Sequence, residues 1–267
     1  MFQTTIFSLP ATPLLRSYVA AIVAAGAAAA ALAGFAGTGA GDLSLMFGLI
    51  VAGAASERFK VGLFGDSHVS LGAVACMAAG LIGGPRDAVV VASCVAVAAN
   101  LGGAVPLYKT LFNMAVYVIA SLAYLGLFRL FGLALSTDWP WIVLPATLAA
   151  AAYFVVNTVL VAVAVSLASD RRIKDVVREK YLWLVPHYLP LGTLAAALAS
   201  GYAIVGPSAI LIFVIPMGSI QVALFQYSAA RMTNQRRLRE VEERILAVEA
   251  DLAQAIRMEN APHPHVA

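Results

Sequence analysis

Residues 139–180 read WPWIVLPATLAAAAYFVVNTVLVAVAVSLASDRRIKDVVREK. From Trp139 to Ser169 there is no Asp, Glu, Lys or Arg, and then five cations follow within the next eleven positions, from Asp170 to Lys180. A bilayer core of about 30 Å needs about 20 apolar residues in helical form. The first part of this stretch is long enough for one tilted membrane helix, and the second part is the kind of basic loop that stays on the cytoplasmic side.

The rest of the chain repeats the pattern. Of 267 residues, 61% are hydrophobic and 12% charged, against roughly half and a quarter in soluble domains. The mean hydropathy is +0.87. Uncharged runs predict spans at 17–37, 43–56, 69–85, 88–108 and 110–128, in addition to 139–169. The run from Tyr181 to Ala230 is divided into two spans by Gly201 to Pro207. The spans at 43–56 and 69–85 are short, and read either as full crossings or as a re-entrant pair. The expected fold class is therefore an all-α integral membrane protein, a bundle of six to eight transmembrane helices.

The expected organisation is a cytoplasmic N-terminus at 1–16, a polytopic membrane domain at 17–230, a cytoplasmic amphipathic helix at 231–258 and a disordered tail at 259–267. With the N-terminus inside, every Lys and Arg except Arg86 and Arg129 falls on the cytoplasmic side. That bias supports an even number of spans, both ends in the cytoplasm and an inner-membrane location. The Ala-rich first span resembles a secretory signal, but its flank holds a single cation, Arg16, so an uncleaved anchor is expected.

Residues 58–71, RFKVGLFGDSHVSL, alternate in hydrophobicity around Gly65-Asp66. A small β-hairpin and a plain interfacial connector both fit. The tail changes character at Arg231. Leu238, Val241, Ile245, Val248, Leu252 and Ala255 follow 3-4 spacing, the inner positions of a heptad, with charged residues between them. The first five of these are the expected interface for self-association or for a membrane or cytoplasmic protein partner. A helix lying on the membrane surface is the other reading.

Several chemistries find no support in the residues. Asp42, Glu57, Arg86, Asp87, Lys109, Arg129, Asp138 and Asp170 all fall at predicted span ends, which weighs against proton coupling through charged groups at bilayer depth. No HExxH, GxSxG, phosphate-binding loop, dinucleotide fingerprint or nucleic-acid motif occurs, so an enzyme is not expected and no cofactor is indicated. Cys76 and Cys94 lie in apolar segments without metal-ligand spacing, and no metal site is expected.

Neutral polar side chains do occur within the spans: Asn100, Asn113, Ser121, Asn157, Thr158, His187, Tyr188, Gln221 and Gln226. Each must face the bundle or a cavity, because an unpaired amide in hydrocarbon is costly. Hydrogen bonds between helices account for them. The functional reading is a polar ligand pocket formed by Asn113, Asn157, His187, Tyr188 and Gln221 on different spans. His187 reads as a ligand, metal or proton group, or as an interfacial anchor beside Tyr181 and Trp183.

The order of these segments also carries a resemblance. A short span ending in ERFKV is followed by HVSLG, by YKTLFNMAVYVIAS at 108–121, by YFVVNTVLVAVAVSL at 153–167 and by YLWLVPHYLPLG at 181–192. A charged helix then ends the series. Over roughly residues 15–235 this resembles the N-terminal multi-span sensory region of bacterial HD-GYP and GGDEF signalling proteins. The resemblance implies a membrane module that senses a stimulus and relays it through the emerging helix. No catalytic or ligand residue carries over. No HD, GYP or GGDEF sequence follows, so the resemblance is to the sensory region without an output domain, either a stand-alone module or a fragment. The compact core is also similar, by architecture only, to substrate-capture subunits of energy-coupling-factor vitamin transporters. A structural subunit of a membrane complex is the third expectation.

Overall fold

The computed structural model describes residues 12–36, 42–58, 61–64, 67–69, 72–101, 105–135 and 137–259; side chains are described only in part along the last helix and not in the strands. The elements in order are α1 (Pro13–Ala36), α2 (Leu43–Arg58), β1 (Val61–Phe64), β2 (Ser67–Val69), α3 (Gly72–Gly83), α4 (Pro85–Ala98), α5 (Leu107–Arg129) and α6 (Val143–Ser169). After them come α7 (Ile173–Val176), α8 (Val185–Val205) and α9 (Ser208–Glu259). The chain forms two units, one through Val222 and one from Ala223.

Four described helices are long and apolar enough to cross a membrane: Pro13–Phe35, Leu107–Arg129, Val143–Ser169 and Ile173–Val205. The last includes α7, a π turn at Val177–Tyr181 and a 3₁₀ turn at Leu182–Leu184 before α8. Leu43–Glu57 and Gly72–Gly83 are apolar but shorter.

The expected span at 88–108 is corrected. Helix α4 starts at Pro85 and stops at Ala98 after 14 residues, about 21 Å at roughly 1.5 Å per residue. It stops because the Asn100 side-chain amide donates to the Ala96 carbonyl at 3.0 Å, while the backbone turns through Asn100 and Leu101. The expected end of the preceding segment at Gly83-Gly84-Pro85 holds. Gly84 takes φ +87, a conformation that favours glycine, and Pro85 opens the next helix. The hairpin reading of 58–71 holds for the described residues. β1 and β2 pair antiparallel, with Val61 opposite Val69 and Gly62 opposite His68.

Helix α3 is the centre of the first unit. All its residues from Gly72 to Gly80 are buried, and it packs against α2, α4, α5 and α8. Alanine, glycine, Cys76 and Met77 make that enclosure possible, since small side chains let backbones approach closely. Helix α6 packs between α5 and α8. A Cβ added to Gly192 of α8 would collide with the Ala146 carbonyl oxygen and lie 2.5 Å from Ala150 Cβ, so the α6–α8 contact is backbone against backbone. Hydrogen bonds cross the helices as well: Tyr124 Oη to the Gly192 carbonyl at 3.0 Å, Tyr18 Oη to the Leu160 carbonyl at 2.8 Å, and Thr147 with Thr193 at 3.1 Å.

Two ends of the bundle are pinned by polar contacts. At the start of α2, Asp42 caps the helix, accepting from the Ser44 amide at 3.0 Å and the Ser44 hydroxyl at 2.5 Å. It also accepts from Tyr202 Oη, near the end of α8, at 2.7 Å. The hydroxyls of Ser44 and Tyr202 hold the Asp42 carboxyl down at about 2. Beyond α6, Arg171 grips both carboxylate oxygens of Glu179 at 2.7 and 2.8 Å.

In the second unit, the described side chains Leu238, Val241, Ile245, Leu246 and Val248 are exposed. The backbone of 223–259 is helical, so 259 is not part of a tail, and residues 260–267 of the expected tail lie outside the described residues.

Candidate functional site

Glu57 lies at a span end as expected, the last residue but one of α2, but its side chain is buried, at 6% exposure. The reason is the length of α2. Sixteen residues reach about 24 Å, so a helix that begins at Asp42 beside the end of α8 stops inside the bundle. The Glu57 carboxylate accepts a hydrogen bond from Tyr117 Oη at 3.2 Å. Tyr117 lies near the middle of the 23-residue α5. The one acid of α2 is thus carried to the mid-height of a membrane-length helix.

Other aromatic residues gather there. Tyr153 of α6 is 2% exposed. Its ring stacks on Tyr188 of α8 at 6.3 Å between centroids, and Phe154 meets the same Tyr188 ring at 5.1 Å and 50°. Thr158 Oγ1, one helical turn beyond Phe154 on the same face of α6, is buried without a hydrogen-bond partner among the described residues.

A second acid is buried away from this cluster. Asp87, in the first turn of α4, is 2% exposed, and its Oδ2 has no hydrogen-bond partner among the described residues. It packs so tightly on Gly83 that a Cβ there would overlap the carboxylate. Asp87 thus lies at a helix end, as expected, and is buried there.

Of the sequence candidates, Tyr188 joins the cluster. Asn113 lies one turn from Tyr117 on α5, and Asn157 one turn from Tyr153 on α6; both are half-buried. His187 is exposed and meets Trp183 edge-on at 5.8 Å and 76°, a placement that suits an anchor. Gln221 lies in α9, with its side chain outside the described residues. Among the described residues no group of three or more His, Cys, Asp or Glu is placed to hold a metal.

Sequence reasoning missed Glu57, Tyr117 and Tyr153. The signal was present for Glu57: the uncharged run between Asp42 and Glu57 is too short to cross the bilayer, so one of its two ends had to lie inside.

Four membrane-length helices around an apolar core, with a carboxylate and phenols at its centre, define a multi-pass helical membrane protein. A family model for MASE9, a family of membrane-associated sensory domains, matches residues 44–227. The chain belongs to the MASE9 family. No curated protein and no solved structure matches it.

Proposed function

We propose that this chain is a sensory module of the inner (cytoplasmic) membrane. In this reading a stimulus is received in the helical bundle and relayed to a partner through the helix beyond Val222. The observation that carries the relay is the apolar stripe Leu238, Val241, Ile245 and Val248, which is exposed at the spacing of a coiled-coil seam. Leu252 continues the same spacing. A helix with such a seam associates with a second copy or with another helix. The sequence resemblance to regions that precede HD-GYP and GGDEF domains favours a cytoplasmic signalling enzyme as the final recipient.

The topology proposed with it has both ends in the cytoplasm. The segment from α2 to α4, taken together, makes one further crossing beside the four membrane-length helices, and the apolar beginning of α9 makes another. That arrangement keeps the clusters 171–180 and 231–244 on one side, as the distribution of cations favours.

Deletion of 236–267 tests the relay. Crosslinking between copies and co-purification of a signalling partner are expected to disappear, while insertion and thermal stability of the bundle persist. Unchanged association after the deletion would refute the relay. A small-molecule capture subunit is the second reading, favoured by the buried Glu57 cluster. It differs in requiring no change in the terminal helix when ligand binds.

A further inference from the structure

We propose that the cleft between α1, α4 and α5 binds a small uncharged aromatic molecule with one hydrogen-bonding substituent, of the phenol class, taken up from the membrane. A cavity of about 140 Å³ lies there, walled by residues that include Ala27 and Ala30 of α1, Ser93 of α4, and Leu111 and Met114 of α5. None of its lining residues belongs to the Glu57 cluster, and the site does not depend on the relay proposed above.

The cavity is built into the helix packing. Where α1 meets α5, a Cβ added to Gly26 would lie 2.5 Å from Ala115 Cβ and 2.7 Å from Ala115 Cα, so the two backbones already touch and cannot close further. Both residues border the cavity. The alanines at 27 and 30 are too short to fill the space beside that contact. A void of this kind leaves its lining without dispersion partners, and an apolar cavity of about 150 Å³ inside a protein takes up benzene or xenon. Ala27 and Leu111 are exposed, so the rim faces the lipid, and a ligand dissolved in the bilayer enters sideways.

The walls define the ligand. No charged residue lines the cavity, so an ion would lose its solvation and gain no partner. Hydrocarbon is the competing solvent, and burial of apolar surface alone gives no preference over lipid. Preference has to come from shape. A lipid tail entering the cavity loses the freedom of several rotatable bonds, whereas a rigid ring has none to lose. Met114 favours an aromatic ring over a saturated one, because its thioether makes favourable contacts with ring edges. Ser93 carries the one hydroxyl on the wall. It can donate to or accept from one polar substituent, and that bond is made against a background of hydrocarbon.

The experiment uses the full chain in lipid nanodiscs, with methionine methyl groups labelled for NMR and phenol and benzene as probes. Met77, fully buried and not part of the cavity wall, is the internal control. Phenol is expected to give a saturable ring-current shift of the Met114 methyl and none at Met77. Ala30→Phe fills the cavity and should abolish the shift; Ala27→Leu, which narrows it from the rim, serves should Ala30→Phe fail to fold. Ser93→Ala should weaken phenol roughly three- to ten-fold, the worth of one hydrogen bond, and leave benzene unaffected. A shift that rises without saturation or appears equally at Met77 would mean partitioning into the bilayer alone. No shift at all would mean that a lipid tail holds the cavity. Either result would overturn the site, as would a shift that persists in the filled variants. Unaltered phenol affinity in Ser93→Ala would overturn the assigned ligand class.

Discussion

Substituting Gly192 by alanine sets two effects of opposite sign against each other. Alanine is the better helix former by about 1 kcal/mol, which favours the variant. Against this, the new methyl group would overlap the Ala146 carbonyl oxygen and lie 2.5 Å from Ala150 Cβ. A carbonyl fixed in a helix cannot turn aside as a side-chain tip does, so the cost falls at the upper end of the roughly 1–3 kcal/mol typical of overpacking. The net loss is about 2 kcal/mol, or about 4–8 °C in the unfolding midpoint of a chain of this size. The Tyr124 bond to the Gly192 carbonyl would be strained by the same displacement. Gly126 of α5 supplies the control: a Cβ there meets nothing within 4 Å, so Gly126→Ala keeps only the propensity gain and should be neutral or slightly stabilising. The assay is thermal unfolding of both variants in one detergent. Equal midpoints for Gly192→Ala and Gly126→Ala would refute the close α6–α8 approach.

Three further outcomes are expected. Tyr117→Phe removes a donor to a buried carboxylate and should cost about 1–3 kcal/mol, read as a lowered midpoint; no change would argue that Glu57 does not depend on that hydroxyl. The Asp42 carboxyl is lowered from 3.8 to about 2 in the folded state, so the folded chain releases that proton more readily than the unfolded one. Its stabilisation is complete above 3.8 and is lost as pH falls through about 2. Tyr202→Phe should lessen that loss, and an unaltered acid limb in unfolding scans would contradict it. Ile245→Lys, placing a charge in the exposed stripe, should abolish crosslinking between copies without shifting the midpoint of the bundle; persistent crosslinking would exclude this seam.

Much of the fold is legible along the chain because helices in hydrocarbon must be long and uncharged. Arg171 to Lys180 marks the end of α6, and Gly84 with Pro85 marks the break between α3 and α4, since each is a local chemical signal. Depth is different, because it depends on where a helix begins. Glu57 reads as a span end in sequence, yet α2 starts level with the end of α8 and is too short to carry Glu57 out of the bundle. Asp87 reads the same way and is buried because α4 packs its first turn on Gly83. The halt of α4 at Ala98 depends on a bond from Asn100 back to Ala96, which no hydropathy window records. Tyr188 was visible as a polar group in an apolar run; its partners Tyr153 and Tyr117 were not, because a tyrosine in such a run looks like any other packing residue until its neighbours are known.

The helical membrane bundle and its relay require the basic tail to lie in the cytoplasm and the α5–α6 connection to lie outside. Paired topology reporters measure this directly, one fused after Arg237 and one after Phe131. The account predicts cytoplasmic signal alone at Arg237 and periplasmic signal alone at Phe131. The same compartment at both sites, or the reverse assignment, would contradict it.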